Sequence, residues 1–282
     1  MIDNVSISHK DNHSGSKLFE ISMPRFGLGV WQMSDMECEA SILHALNNGY
    51  RLIDTATAYG NETAVGEAIR KSGIPRDEIF VVTKLRRVHA TGFDETIIQC
   101  KESLERLGLD YVDLYLVHAP PENISVRGEV WKAMEECLKL GLTRSIGVSN
   151  YGIKHLEDMK NYAEIMPSVN QIEVHPWLQR HELREANRKI GAITMGYSPL
   201  ARGHKVRDPA LSTIADSIGC TPAQAAIKWV YDLGCITIPK SSNPNHIIEN
   251  KESLDFDISD YTADFASLDE SYISGWNPTI EP

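Results

Sequence analysis

Short runs rich in valine, isoleucine and leucine alternate with longer amphipathic runs through almost the whole of this 282-residue chain. Such alternation is typical of parallel strands, because a parallel connection needs a crossover long enough to hold a helix. Eight strands of this kind predict a closed (β/α)8 barrel, the TIM barrel, in which helices surround the strands. The predicted strands are residues 26–30, 51–54, 79–83, 113–118, 144–149, 169–173, 193–198 and 235–239.

The chain before the first barrel strand is polar. Residues 1–17 are rich in serine, asparagine and histidine and are expected to be poorly ordered, while extended residues 17–26 predict an N-terminal hairpin. No long linker, charge block or repeat interrupts the remainder, so we predict a single domain over residues 1–282. An open doubly wound sheet is the alternative. It is disfavoured because Gly27-Leu28-Gly29 has no third glycine at the spacing of a dinucleotide-binding loop.

Several helix starts can be located from capping residues. Ser34 and Glu37 have the spacing of a capping box ahead of an amphipathic run. Asp208, Thr221 and Asn243 each stand directly before a proline, which is favoured at the first helical position. These starts follow predicted strands or their loops, as a barrel requires.

Composition restricts the partners and the compartment. The net charge of −11 comes without a basic stripe, which argues against a nucleic-acid partner. The five cysteines are scattered without the spacing of a metal site or a disulfide framework, so reduced thiols are predicted. Residues 1–17 lack the apolar core of a signal peptide, and no apolar run has the length of a membrane span. We therefore predict a cytoplasmic protein without a membrane partner. A monomer or weak dimer is a further expectation, although the sequence does not identify the oligomeric state.

Polar residues stand at the ends of three neighbouring predicted strands. Asp54, Lys84 and His118 close consecutive apolar runs, and Tyr59 lies in the turn after the first of them. Taken singly, such an aspartate can be a helix cap, the lysine solvated and the histidine structural. The carboxyl ends of barrel strands meet at one face, so the four side chains are expected to converge there. Together they predict a site for acid–base chemistry.

Eight segments of the chain resemble the aldo-keto reductases. They are GLGVW (27–31), DTATAYGNE (54–62), TK (83–84), LVH (116–118), GVSN (147–150), NQIEVHP (170–176), GYSPL (196–200) and IPKS (238–241). The resemblance extends over residues 23–278 and implies hydride transfer from a nicotinamide to a carbonyl group. It makes Tyr59 the proton donor, tuned by the Lys84 cation, with Asp54 pairing that lysine. His118 would hydrogen-bond the carbonyl oxygen, and no metal is required.

The resemblance also implies residues that hold the cofactor, NADPH, with NADH as a weaker alternative. Its predicted contacts with the nicotinamide are Ser149, Asn150, Gln171 and Tyr197, and Ser198 and Leu200 are further predicted cofactor contacts. Those predicted for the adenosine 2′-phosphate and adenine are Lys240, Ser241, Ser242, His246, Glu249 and Asn250. Singly, these residues could also be caps, backbone partners or barrel wall. His246 stands where the family usually has arginine, and histidine lacks the permanent charge and planar fork of that residue.

The predicted substrate pocket departs from the family in two places. Arg86 and Ala119 stand where relatives commonly carry bulky aromatics, whereas Trp31 is retained as a predicted pocket wall. A roomier pocket favours bulky or anionic carbonyls, such as ketoacids or their esters, although the loop arginines could equally be solvated. The tail after Ser274 is short and is expected to add little to the pocket.

Two functions fit the sequence. The first is NADPH-dependent reduction of aldehydes or ketones to alcohols, and the complete set of four catalytic residues favours it. The alternative is a nicotinamide-binding barrel that acts as a redox-sensing or interaction subunit with little turnover. The sequence does not identify the physiological carbonyl compound or the favoured direction.

Overall fold

The computed structural model describes residues 2–282 and contains one sheet of eight parallel strands. Strands that are consecutive along the chain are neighbours in this sheet, which confirms the predicted order. The strands are β3 (Leu28–Gly29), β4 (Leu52–Asp54), β5 (Phe80–Leu85), β6 (Leu114–Val117), β7 (Ile146–Ser149), β8 (Val169–Glu173), β9 (Ile193–Tyr197) and β10 (Ile236–Thr237), numbered after the two strands of an N-terminal hairpin. Most are shorter than predicted, because the outer residues belong to the loops.

Contacts between the first and last strands close the sheet into a barrel. Gly27 N donates to Thr237 O at 3.0 Å, and parallel bridges join Phe26 to Thr237 and Gly29 to Lys240. Gly27 has to be a glycine here, because a Cβ atom would lie 2.4 Å from the Leu52 side chain. This closure confirms the (β/α)8 barrel and excludes the open sheet.

Helices surround the barrel. They are α1 (Asp35–Asn47), α2 (Glu62–Ser72), α3 (Phe93–Leu107), α4 (Arg127–Lys139), α5 (Ile153–Met159), α6 (His181–Ile190), α7 (Pro209–Ile218), α8 (Pro222–Asp232), α9 (Pro244–Glu252) and α10 (Thr262–Ala266). The Ser34 capping box and the caps at Asp208, Thr221 and Asn243 form as predicted. Within residues 2–282, none of the helices has the length and apolar character that a bilayer crossing demands.

The N-terminal segment corrects one expectation. Residues 1–17 were expected to be poorly ordered, yet β1 (Asn4–Lys10) pairs antiparallel with β2 (Lys17–Pro24), and only Met1 lies outside the described residues. The physical reason is burial: Ile7 and His9 of β1 are 0% exposed, and Ile7 packs with the apolar residues of the barrel interior. An N-terminal hairpin is therefore present as predicted, but residues 17–24 form only one of its strands, and the other lies in the segment expected to be poorly ordered.

Candidate active site

Asp54, Lys84, Tyr59 and His118 meet at the carboxyl ends of β4, β5 and β6. Asp54 is the last residue of β4, Lys84 lies one residue before the end of β5, and His118 follows β6. Tyr59 ends a short 3-10 turn, residues 57–59, that follows β4. The strand ends of a parallel barrel form a single face, so the predicted convergence occurs.

The Lys84 ammonium group lies at the centre of this arrangement. Its Nζ donates to Asp54 Oδ1 at 2.7 Å, to Thr55 O at 2.8 Å and to the Tyr59 hydroxyl at 3.4 Å. The lysine side chain is 0% exposed. A fully buried ammonium group requires a carboxylate to compensate its charge and hydrogen bonds to satisfy its donors. The Tyr59 and His118 rings stand edge to face, with centroids 5.6 Å apart.

Burial shifts the pKa values of Tyr59, Lys84 and His118. Burial, and next the Asp54 carboxylate, raise the pKa of Tyr59 well above its ordinary value, so the phenol keeps its proton. Burial lowers the pKa of Lys84, and the contact with Asp54 opposes that effect. Burial and the Lys84 charge lower the pKa of His118 to about 3, so its imidazole is neutral. The site thus pairs a protonated phenol with a neutral histidine.

Carboxamide and hydroxyl groups extend the hydrogen-bond network from this centre. Gln171 Nε2 donates to Asp54 Oδ2 at 2.7 Å, and Asn150 Nδ2 donates to His118 O at 2.9 Å. Tyr197 OH in turn donates to Asn150 Oδ1 at 2.8 Å. These contacts hold two carboxamides and one aromatic ring at the same strand ends as the four catalytic candidates.

Two of the loops at this face hold non-glycine residues in left-handed backbone conformations. Asn150 has φ 61° and Ser198 has φ 50°, and both residues contribute to the wall of the cavity. Left-handed conformations are costly for residues with a Cβ atom and cluster at functional sites. The surrounding contacts, such as the bond from Asn150 to His118, therefore maintain a loop shape that the backbone alone would not choose.

A cavity of about 770 Å³ opens above these groups, a volume typical of small-molecule sites. The predicted site residues in its wall are Trp31, Asp54, Tyr59, His118, Ser149, Asn150, Gln171, Tyr197, Ser198, Leu200 and Lys240. Lys84 lies buried beside them, within hydrogen-bond distance of Asp54 and Tyr59. The site predicted from the sequence is thus largely assembled around one cavity.

Comparison with known proteins identifies the family. A family model described as the Aldo/keto reductase family matches residues 23–273. A protein of Mycolicibacterium vanbaalenii named aldo-keto reductase is 49% identical over 250 residues, which are 88% of this chain and 89% of that protein. The chain belongs to the aldo/keto reductase family. It is therefore an oxidoreductase.

Solved structures of similar proteins share this barrel. A Bombyx mori aldo-keto reductase in complex with NADP has a TM-score of 0.86 and 30% identity, covering 98% of this chain and 95% of that one. A single-residue variant of Gox0644 in complex with NADPH has a TM-score of 0.87 and 35% identity, covering 99% of both chains. The similarity therefore extends over the whole fold.

Five residues predicted for the adenosine end lie outside the wall of the cavity. They are Ser241, Ser242, His246, Glu249 and Asn250, in the loop after β10 and on α9. Ser242 and His246 are exposed, Glu249 is half-buried, and Ser241 and Asn250 are buried. Only Lys240 of this group lines the cavity, and the other five residues lie beside it in the loop after β10 and on α9.

Two residues that were predicted to line the substrate pocket of this aldo/keto reductase do not line the cavity. Arg86 is exposed and Ala119 is buried, and neither lines the cavity. The chain turns outward after Leu85, so Arg86 faces solvent. The neighbouring Arg87 contacts the C-terminal tail, because its guanidinium binds Glu281 at 2.6 Å. Arg86 and Ala119 therefore do not support the prediction of a roomy pocket.

The C-terminal tail supplies a pocket residue that the sequence reasoning missed. Trp276 lines the cavity, and its indole N–H donates to Glu281 Oε1 at 2.6 Å. The Arg87 guanidinium lies 5.2 Å from the centre of its ring. A lone tryptophan in a polar tail was the available signal. The expectation that the tail adds little is wrong, since a short tail suffices when arginine contacts anchor it.

The loop after β9 contributes further residues that were not predicted. Arg202 and His204 line the cavity, and the Arg202 guanidinium lies 4.6 Å from the centre of the Trp31 ring. Arg202 has φ 54°, so it occupies a left-handed conformation. Nothing in the local sequence predicted that Arg202 would line the cavity, because its position depends on the turn and on the distant Trp31.

Proposed function

We propose that this chain reduces aldehydes or ketones to alcohols by hydride transfer from NADPH, with Tyr59 as the proton donor. The proposal rests on the position of Lys84 Nζ, which lies 2.7 Å from Asp54 and 3.4 Å from the Tyr59 hydroxyl beside the cavity. A cation there stabilises a phenolate, which is the form that Tyr59 takes after it gives up its proton. We attribute the reaction to the single barrel domain.

The residues around the cavity fit a nicotinamide cofactor. Asn150 and Gln171 supply carboxamides, which pair well with another carboxamide, and the Tyr197 ring offers an apolar face for a planar heterocycle. Lys240 adds an exposed cation suited to a phosphate. Similar structures in complex with NADP and NADPH support this assignment. When bound, the nicotinamide supplies the hydride that reduces the carbonyl carbon.

The protein residues then control the carbonyl oxygen. His118 is neutral, so one ring N–H can donate to that oxygen and orient it next to Tyr59. As negative charge develops on the oxygen, the Tyr59 hydroxyl donates its proton and the carbonyl becomes an alcohol. Lys84 lies close enough to stabilise the resulting phenolate, and Asp54 keeps the lysine charge compensated. Solvent returns a proton to Tyr59 after the alcohol leaves.

A substrate panel tests the function. NADPH consumption would be followed with aldehydes, ketones, ketoacids and ketoesters, and we expect turnover with at least one class of carbonyl. Binding of NADPH without turnover across the panel would contradict the reductase and favour the alternative, a nicotinamide-binding sensing or interaction subunit. A second panel with NADH would show whether Lys240 gives NADPH the advantage.

The finer predictions about location and assembly stay predictions. The cytoplasmic location and the monomer or weak dimer are expectations from the sequence. Sedimentation of the purified chain would decide the assembly, because monomer and dimer differ twofold in mass.

A further inference from the structure

Glu62 is a buried carboxylate close to the four catalytic residues but without a role in their chemistry. It is the first residue of α2, and its side chain is 1% exposed. Its Oε1 accepts from Thr83 Oγ1 at 2.6 Å, and its Oε2 accepts from Arg106 Nε at 2.7 Å. Thr83 directly precedes Lys84 on β5. The ion pair of Glu62 with Arg106 is therefore attached to the strand that presents the lysine.

Arg106 also reaches the turn that contains Tyr59. Its NH2 group donates to Ser103 Oγ at 3.1 Å, and Ser103 Oγ lies 3.1 Å from Thr57 Oγ1. Thr57 begins the turn of residues 57–59. One guanidinium on α3 thus connects to β5 through Glu62 and to the Tyr59 turn through Ser103. We name Thr57, Glu62, Thr83, Ser103 and Arg106 the supporting network.

We propose that Arg106 is a positioning residue for the reduction: by anchoring both arms of the supporting network, it sets the separation of the Tyr59 hydroxyl and Lys84 Nζ. This inference rests on the proposed function. Tyr59 and Lys84 come from different elements, the 57–59 turn and β5, so their 3.4 Å separation depends on how these elements are held together. No hydrogen bond joins Arg106 to the side chain of Tyr59 or Lys84, so Arg106 acts through its neighbours.

The packing of α2 against α3 allows this contact. Gly66 of α2 lies against Leu107, the last residue of α3, so closely that a Cβ atom on Gly66 would stand 1.9 Å from Leu107 O. The backbone approach brings Arg106, the residue before Leu107, within reach of Glu62. Arginine also suits the position, because its Nε and NH2 donors lie on separate nitrogens of a rigid plane and reach Glu62 and Ser103 at once, whereas the donors of lysine all leave one nitrogen.

Charge supports the same role. Asp54, Tyr59, Glu62 and His118 are the titratable groups around Lys84, and the Glu62 charge raises the lysine pKa in the same direction as Asp54, against the larger lowering by burial. Arg106 compensates Glu62. Removing Arg106 would leave a buried carboxylate uncompensated, which changes the electrostatic environment of Lys84 and so the pH dependence of turnover.

The first experiment compares Arg106→Met with wild type. We expect kcat to fall by roughly 10- to 100-fold, since a displacement of about 1 Å can cost 10²-fold, while KM and the Kd of NADPH stay within about twofold. The pH profile of kcat should shift, and Arg106→Lys should recover part of the loss. Arg188→Met is the matched control, because it removes an exposed arginine that pairs with Glu185 at the same 2.7 Å. It should leave kcat unchanged.

A purely structural Arg106 would give a different result. Arg106→Met would then lower the melting temperature while kcat and its pH profile, measured well below that temperature, match wild type, and this would overturn the proposal. If Arg106→Met does not fold, Thr83→Val and Ser103→Ala replace it, since each removes one hydroxyl from one arm. Both should lower kcat with NADPH affinity retained, and wild-type kcat in both would overturn the proposal.

A crystal structure of a variant decides the point without turnover. In Thr83→Val or Arg106→Met, the distance from the Tyr59 hydroxyl to Lys84 Nζ should lengthen from 3.4 Å, and an unchanged distance would contradict the inference. If the wild-type chain reduces no carbonyl compound, the proposed function fails, yet this distance still reports whether Arg106 positions the pair. The two failures are therefore distinguishable.

Discussion

The two ends of the barrel bury histidines in different ways. At the hairpin end, His9 is 0% exposed, with Nε2 2.9 Å from Ser145 Oγ and Nδ1 3.4 Å from Met166 O. At the strand ends, His118 is half-buried and its ring lines the cavity. Burial lowers the pKa of both residues, to about 4 for His9 and to about 3 for His118, where Lys84 contributes as well.

The two histidine rings differ in the groups that surround them. Both His9 nitrogens have protein atoms within hydrogen-bond distance, so His9 ties the hairpin to the base of the barrel. His118 instead stands beside Tyr59 at a cavity of about 770 Å³. A depressed histidine pKa therefore marks burial at one end and accompanies the proposed reaction site at the other. The open cavity and the adjacent Tyr59 hydroxyl separate the two cases.

Among the substitutions that compare the two ends, the largest effect is expected from Lys84→Met, which removes the cation from the strand-end cluster. The phenolate of Tyr59 would lose its stabilising charge, and Asp54 would be left buried without its partner. We expect kcat for an aldehyde to fall by at least about 10²-fold, the lower range for general acid catalysis. Steady-state assays with NADPH, together with circular dichroism to check folding, measure this. Lys71→Met, which breaks the exposed pair with Glu39, is the control.

His9→Gln tests the other side of the comparison. The folded pKa of His9 is about 4 and its ordinary value is 6.5, so the unfolded chain takes up the proton first as the pH falls. The contribution of neutral His9 to the free energy of unfolding is therefore fully present above about pH 6.5. It is lost towards pH 4, by roughly 3 kcal/mol for this one group. Glutamine keeps a polar side chain without titrating, so His9→Gln should lose that much less over this range.

Denaturant unfolding at a series of pH values checks the effect of His9→Gln, and kcat serves as its control. His118 titrates in the same direction, so wild type should lose more stability than His9 alone explains. A kcat close to wild type would show that the hairpin end is structural. Equal pH slopes for the variant and wild type would contradict the assignment of His9.

How much of each end could be predicted follows from the distance between partners in the sequence. Asp54, Lys84 and His118 were predictable because parallel strands bring their carboxyl ends to one face. His9 was missed because its partner Ser145 lies 136 residues away, and nothing in a polar N-terminus announces that contact. Arg86 was misplaced because a loop's direction after a strand depends on packing that a sequence pattern does not contain.

Trp276→Ala sharpens the description of the cavity end. The indole lines the cavity, and its removal should lower kcat/KM for bulky aromatic aldehydes roughly tenfold relative to a small aliphatic one, the scale of lost apolar contact. The control is Ile280→Ala, an exposed apolar residue in the same tail outside the cavity wall. An unchanged ratio in Trp276→Ala would mean that the tail only borders the opening.

The smallest effect is expected at the rim, from His246→Arg. His246 is exposed and lies outside the cavity wall, on α9 beyond Lys240. A permanent guanidinium should tighten NADPH binding by roughly 1 kcal/mol or somewhat more, while NADH binding stays constant. Fluorescence titration of both cofactors measures it. His13→Arg adds the same charge at another exposed position and should not discriminate between the cofactors.

The central claim is that Tyr59, protonated and beside Lys84, donates the proton during carbonyl reduction. Tyr59→Phe keeps the ring and removes only the hydroxyl, so it tests this claim most directly. Reduction of the best aldehyde of the panel should fall by about 10²–10⁴-fold, with the Kd of NADPH from fluorescence titration within about twofold of wild type. A kcat close to wild type in Tyr59→Phe would contradict the account.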